Sequence, residues 1–173
     1  PGGVKLYVKS GSGYVLADAG WVNLTTGQDW VTLTLPLDNP TGWVQPASEA
    51  GTYDASDIRL IGLDFETGAT AADWSGAVVH IDTVGLVGEL PTSTSGSTLP
   101  EMMWTFDDGL ENWNIGYTNP ATMAETSTLV FDQTVGEPDP GSLKLTIPFS
   151  GLGQVVEALV VLPMPMDLTG KTL

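Results

Sequence analysis

The sequence predicts an all-β protein built as an antiparallel sandwich. Three observations predict it. Short segments alternate apolar and polar residues with period two, the pattern of a half-buried strand. Gly, Pro, Asn and Asp clusters punctuate them at short spacing. No stretch carries the three-to-four-residue apolar period of an amphipathic helix.

The elements follow in order. Val4-Lys5-Leu6-Tyr7-Val8-Lys9 alternates and ends in the turn Gly11-Ser12-Gly13. The alternation puts Lys5, Tyr7 and Lys9 on one face and Val4, Leu6 and Val8 on the other. Tyr14-Val15-Leu16 and Trp21-Val22-Asn23-Leu24 read as the next strands, with Val22 and Leu24 inward and Trp21 outward. After turn residues 25–29, Trp30 to Leu35 alternates until Pro36 stops it. Asp38 to Tyr53 is broken by Pro and Gly and reads as a long loop. Ile58 to Phe65 and Ala77 to Val87 are rich in β-branched residues. Pro91 to Pro100 is a Ser/Thr linker bracketed by prolines. Beyond it, Trp104-Thr105-Phe106, Ser142 to Ile147 and Val155 to Leu162 are further strands, and Glu137 to Gly141 is a turn.

Composition narrows function. The chain has 173 residues, 42% of them apolar, enough for one sandwich with a core. Its 21 acidic residues against 5 basic ones give a formal charge of -16. That field repels nucleic acid and anionic membranes and suits hard cations. There is no cysteine, and no apolar run approaches the roughly 20 residues of a membrane helix. No secretory leader pattern opens the sequence, and Pro1-Gly2-Gly3 reads as a cut within something longer. No motif announces catalysis: His80 is the single histidine, it sits in a strand, and no nucleophile elbow accompanies it. A glycosidase pair among the 21 acids has no local signature.

Three stretches resemble the β-sandwich carbohydrate-binding modules attached to mannanases and related glycoside hydrolases. Trp104-Thr105-Phe106-Asp107-Asp108-Gly109-Leu110-Glu111-Asn112-Trp113 is similar to their opening strand, and Lys5 to Tyr14 to their central hairpin. Ile61-Gly62-Leu63 with Val79-His80-Ile81-Asp82-Thr83-Val84 is similar to their closing pair. Gly141 to Leu145 and Asp167 to Lys171 fit between the first and second. The order is permuted. Residues 1–90 resemble the C-terminal half of a module and residues 101–173 the N-terminal half, with 91–100 joining them. The resemblance therefore implies one jelly-roll, galactose-binding-like sandwich, either circularly permuted or cut across the boundary of tandem copies. The strand such modules place after Gly170-Lys171-Thr172-Leu173 does not follow here. An unpaired edge there would favour a domain-swapped homodimer.

The resemblance also implies a structural calcium, held by Asp82 and Asp107 with carbonyls near Thr105 and Ser142 or Lys144. The bland alternative makes these turn and strand-end carboxylates. It implies a polysaccharide ligand of β-1,4-mannan or β-glucan type, a secreted parent protein and a linked hydrolase. Sugars stack on aromatic faces while polar groups orient their hydroxyls. The candidate contact residues are Tyr7, Tyr14, Trp21, Trp43, Arg59 and Trp74. Trp43 and Trp74 fall on loops, where a Trp is either a lid over an apolar edge or a ligand platform. Tyr7 and its flanking lysines could equally be a solvated face, and Arg59 could serve a structural carboxylate. Trp30, Trp104 and Trp113 read as packing residues. Two other functions remain open: a calcium-stabilised structural or adhesion module that binds no glycan, and an autonomous glycosidase.

Overall fold

The computed structural model describes residues 3–25, 27, 29–68, 76–87, 103–137 and 139–173. Trp74 and the 91–100 linker lie outside the described residues. The strands, in chain order, are β1 (Gly3–Ser10), β2 (Val15–Asp18), β3 (Val22–Asn23), β4 (Ile58–Glu66), β5 (Ala77–Ile81) and β6 (Val84–Gly85). They continue as β7 (Met103–Trp104), β8 (Asn114–Asn119), β9 (Thr128–Asp132), β10 (Ser142–Ile147) and β11 (Val155–Met166). A single helical turn, α1 (Ala47–Ala50), interrupts the long loop.

The architecture is an antiparallel β-sandwich. One layer has the order β2-β1-β4-β11-β8, with β3 also pairing β1; the other holds β5-β10-β9 and the pair β6-β7. Strands from either side of residues 88–102 pair with each other in every sheet: β4 with β11, β5 with β10 and β6 with β7.

The core follows from alternation. In β10, Leu143, Leu145 and Ile147 turn inward and are fully buried, while Lys144 and Thr146 are only partly covered. They meet Val4, Leu6 and Val8 of β1, Ile61, Leu63 and Phe65 of β4, and Val156, Ala158 and Val160 of β11 in one cluster. Trp113 is fully buried and takes Trp104 and Phe106 edge-on at 6.0 and 5.9 Å, the favoured aromatic geometry.

Three expectations need correction. Trp30 to Leu35 forms no strand: Trp30 and Val31 are exposed, while Leu35 and Leu37 are buried in the core and Leu33 packs against it. Trp30 is therefore not a packing residue. Strands β8 and β9 are additions to the expected set; the Asn- and Gly-containing sequence of β8 hides it, whereas β9, Thr-Leu-Val-Phe-Asp, has strand-forming residues. Finally, residues 171–173 are paired on both sides within this chain. Leu173 exchanges two backbone bonds with Leu35, at 2.8 and 3.0 Å, and Thr172 two with Val87, at 2.8 and 2.9 Å. This small ladder occupies the end where the resembling modules place a further strand.

Candidate functional site

The outer face of the larger sheet carries polar residues in transverse rows set by register. Strand β1 places Gly3 opposite Asn23 on one side and Glu66 on the other. The next row along runs Lys5, Asp64, Glu157 across β1, β4 and β11. The row after that runs Asp18, Tyr7, Gly62, Leu159.

The second and third rows form a buried charged network. Lys5 Nζ lies 3.3 Å from Asp64 Oδ2 and 3.7 Å from Asp18 Oδ2. Glu157 Oε2 accepts the Tyr117 amide at 3.1 Å. Burial, opposed by Lys5 and reinforced by Glu157 and Glu66, pushes the Asp64 carboxyl up to about 6. Its Oδ1 is buried without a hydrogen-bond partner. Tyr7, expected as a sugar platform, shares this outer face with Lys5 and Lys9 but is 0% exposed. Its ring lies flat across β4 over Gly62, where an added Cβ would come within 2.5 Å of Tyr7 Cζ. Lys9 Nζ sits 5.3 Å from its centroid. A ring sealed this way has no face to offer a sugar, so Tyr7 is not a contact residue. Its hydroxyl makes no well-formed hydrogen bond, yet burial and the nearby Glu157 carboxylate hold its pKa far above the usual tyrosine value.

Asp18 ties two loops to this face. Its Oδ1 accepts the amides of Gly20 and Trp43, both at 2.9 Å. Its own amide donates to the Trp43 carbonyl and its carbonyl accepts the Gly42 amide. Val44 then bridges Ala17, so residues 42–45 lie along β2 as an added edge. A side chain at Gly42 would run into Asp18 Oδ1 and the Gly20 amide. The contact works because both positions are glycine. It leaves Trp21 and Trp43 one residue from the meeting point on their two loops, 47% and 51% exposed.

Beside Trp21 the first row opens into a groove lined by Gly3, Trp21, Asn23, Glu66 and Gly68. Gly3 supplies no side chain between Asn23 and Glu66, and the edge of the Trp21 ring lies 3.5 Å from where a Gly3 Cβ would be. Lys5 Nζ lies over the Trp21 ring at 4.7 Å, a cation–π distance that fixes the indole from the sheet side. The groove thus combines an anchored aromatic, an amide and a carboxylate. No protein family, curated protein or solved structure matches the chain.

The other candidates are spread around the molecule. Tyr14 is half-exposed at the tip of the β1–β2 turn, at the far end of β1 from Trp21. Arg59 is occupied by Asp57, with Nε and Nη2 at 2.9 and 3.1 Å from its two carboxylate oxygens, so it is a local structural partner. Asn23 is the groove-lining residue the sequence could have revealed, since period two from Trp21 puts it on the same face. Gly3 and Glu66 join it only through register, which no local pattern shows.

The expected calcium ligands sit where β6 meets β7. Asp82 Oδ2 accepts the Glu137 amide at 2.6 Å, and Asp107 Oδ2 accepts the Thr105 hydroxyl at 2.7 Å. Gly141, at the other end of the Glu137 turn, packs against Phe106 and Asp107. Among the described residues no three His, Cys, Asp or Glu converge as a metal site. Ser142 and Lys144 both lie in β10, Ser142 paired with Asp132 and Lys144 with Val130 and His80. Asp82, Asp107 and Thr105 are the other members of the expected ligand set. His80 Nδ1 lies 3.0 Å from the Ser142 hydroxyl, and burial lowers its pKa.

Proposed function

We propose that the protein is a non-catalytic carbohydrate-binding module for a neutral β-1,4-linked polysaccharide of mannan or glucan type. One observation carries this reading: the Trp21 groove, where an indole braced by Lys5 borders a glycine-floored gap between Asn23 and Glu66. A pyranose ring resting on Trp21 would set its hydroxyls against an amide donor and a carboxylate acceptor. The net charge of -16 favours a neutral chain over an anionic one. Trp43, on the adjoining loop, extends the aromatic surface. A secreted parent protein bearing a hydrolase is the setting in which such a tether raises local enzyme concentration.

Trp21→Ala should weaken binding to soluble glucomannan or mixed-linkage β-glucan at least tenfold, read by affinity electrophoresis and titration calorimetry. Tm should fall by no more than a few degrees, because the indole is half-exposed. Trp30→Ala, an exposed tryptophan outside the groove, should leave binding unchanged. Equal binding by the Trp21 variant and the wild type would overturn the assignment.

A calcium ion between Asp82 and Asp107 is part of the same proposal. It would neutralise two carboxylates at the seam between the chain's two halves. Saturating calcium should then raise Tm by about 5 °C, and Asp82→Asn should abolish the response. No shift in the wild type would remove calcium from the proposal while leaving the Trp21 groove untouched. It would also weigh against the calcium-stabilised adhesion module as the alternative.

A further inference from the structure

At the opposite corner of the same sheet, β8 stops short of β11. Asn114, its first residue, pairs with Leu159, and β11 runs on to Met166. Past Leu159, β11 is paired only by β4, through Val160 and Val161. Its register then jumps from Val161 to Met166; Leu162 stays in the core and Pro163 to Pro165 are exposed. The space β8 leaves is a groove of about 570 Å3, lined by Trp104, Glu111, Asn112, Asn114 and residues 160–163. That lies within the roughly 300–1,000 Å3 range of ligand pockets.

Its chemistry selects a class of occupant. No cationic side chain lines it, so an anionic ligand finds no partner. A peptide adding as a strand would need backbone amides along the open edge, and Pro163 and Pro165 remove two of them. What the groove presents is two asparagine side chains and a carboxylate beside an apolar wall with an indole at its back. Val161, 55% exposed, forms the rim. Glu111 and Asn112 hold positive φ angles of 47° and 68°, and Glu111 Oε1 accepts the Phe106 amide at 2.8 Å. These polar groups are thus fixed by a tight turn.

We infer that this groove is a second site for a neutral oligosaccharide, which makes the protein bivalent toward glycans; the inference rests on the carbohydrate reading above. Strand β4 sets the separation. Its Leu60 pairs with Val161 of this groove, and Glu66 in the Trp21 groove lies about 20 Å further along it at the rise of an extended strand. One short oligosaccharide cannot bridge both, whereas two neighbouring polysaccharide chains can each occupy one. The consequence is cross-linking of chains as well as tethering.

The experiment is titration calorimetry with mannotriose and with cellotriose, each too short to reach both grooves, on wild type, Trp21→Ala, Val161→Lys and the double variant. Val161 is exposed, so a lysine there blocks the groove without entering the core; Asn114→Ala is a second probe of the same groove. Melting curves confirm each fold. Two sites per chain are expected for the wild type, one for each single variant and none for the double. The wild type alone should render soluble galactomannan turbid. A wild-type stoichiometry of one, complete loss of binding in Trp21→Ala, or a remaining site that Val161→Lys and Asn114→Ala leave intact overturns the second site and spares the first. A wild type that binds neither trisaccharide nor polysaccharide overturns the carbohydrate reading and this inference together.

Discussion

Asp18→Ala should cost about 3 kcal/mol of stability, the loss of several charge-assisted hydrogen bonds from one buried acceptor. Asp18 is 3% exposed, and its carboxylate receives the amides of Gly20 and Trp43 and faces the Lys5 ammonium. Alanine leaves both amides without their acceptor, and Lys5 with Asp64 alone. At roughly 2–4 °C per kcal/mol for a domain of this size, Tm should fall by about 6–12 °C. Urea unfolding should show a lower midpoint at unchanged slope. Asp18→Asn keeps one carbonyl acceptor and loses the charge, so it should fall about midway. The backbone bridge between Ala17 and Val44 survives both changes. Amide exchange in residues 40–45 of Asp18→Ala therefore separates the two anchors. Wild-type protection there, with stability within 1 kcal/mol of wild type, would mean that the backbone bridge holds the loop and Asp18 is dispensable.

The same variant reaches the Trp21 groove. Asp18 sets the Gly20–Gly42 contact from which both exposed tryptophans leave, and Lys5 braces the Trp21 ring. Its loss should weaken polysaccharide binding even at temperatures where the protein stays folded. A purely architectural aspartate would lower Tm and spare affinity.

How far the sequence revealed this depends on where the information lies. Strands β1, β4 and β10 announce themselves because their alternation is local and their inward residues are Leu, Ile, Val and Phe. Strand β8, Asn-Ile-Gly-Tyr-Thr-Asn, does not; it is a strand because β11 pairs with it, and Gly116 is glycine because Leu159 and Glu157 pack over it. Trp30 to Leu35 fails in the other direction: it alternates well, yet only its end, Leu35, finds a backbone partner, in Leu173. Tyr7 shows the limit of period-two reasoning. Alternation assigns a residue to a face, but cannot say that a glycine on the next strand lets its ring lie down and disappear. The rows Asn23–Gly3–Glu66 and Lys5–Asp64–Glu157 join residues dozens to more than a hundred positions apart. Only register joins them.

The Lys5–Asp64–Glu157 row should make stability depend on pH in the sense opposite to most salt-bridged carboxylates. Asp64 has a folded pKa of about 6 against 3.8 for the free side chain. Burial causes the rise, Lys5 partly offsets it, and Glu157 and Glu66 add to it. A carboxyl raised in the fold binds its proton more tightly there than in the unfolded chain. Its penalty is fully present above pH 6 and disappears as pH falls toward 4. A shift of about two pKa units corresponds to about 3 kcal/mol. The protein should therefore gain stability from this group between pH 7 and pH 4.5, measured by urea midpoints across that range. Asp64→Asn should flatten the slope. The amide has nearly the carboxylate's shape, carries no charge to desolvate, and leaves Lys5 with Asp18 and the Trp21 ring. Its stability at pH 7.5 should equal or exceed that of the wild type. A variant much less stable than wild type at pH 7.5, with the pH slope unchanged, would show that the Lys5–Asp64 pair outweighs the cost of burying the charge. That outcome would make the row a net tie across β1 and β4, whereas the geometry assigns it the role of a buried strain beneath the groove.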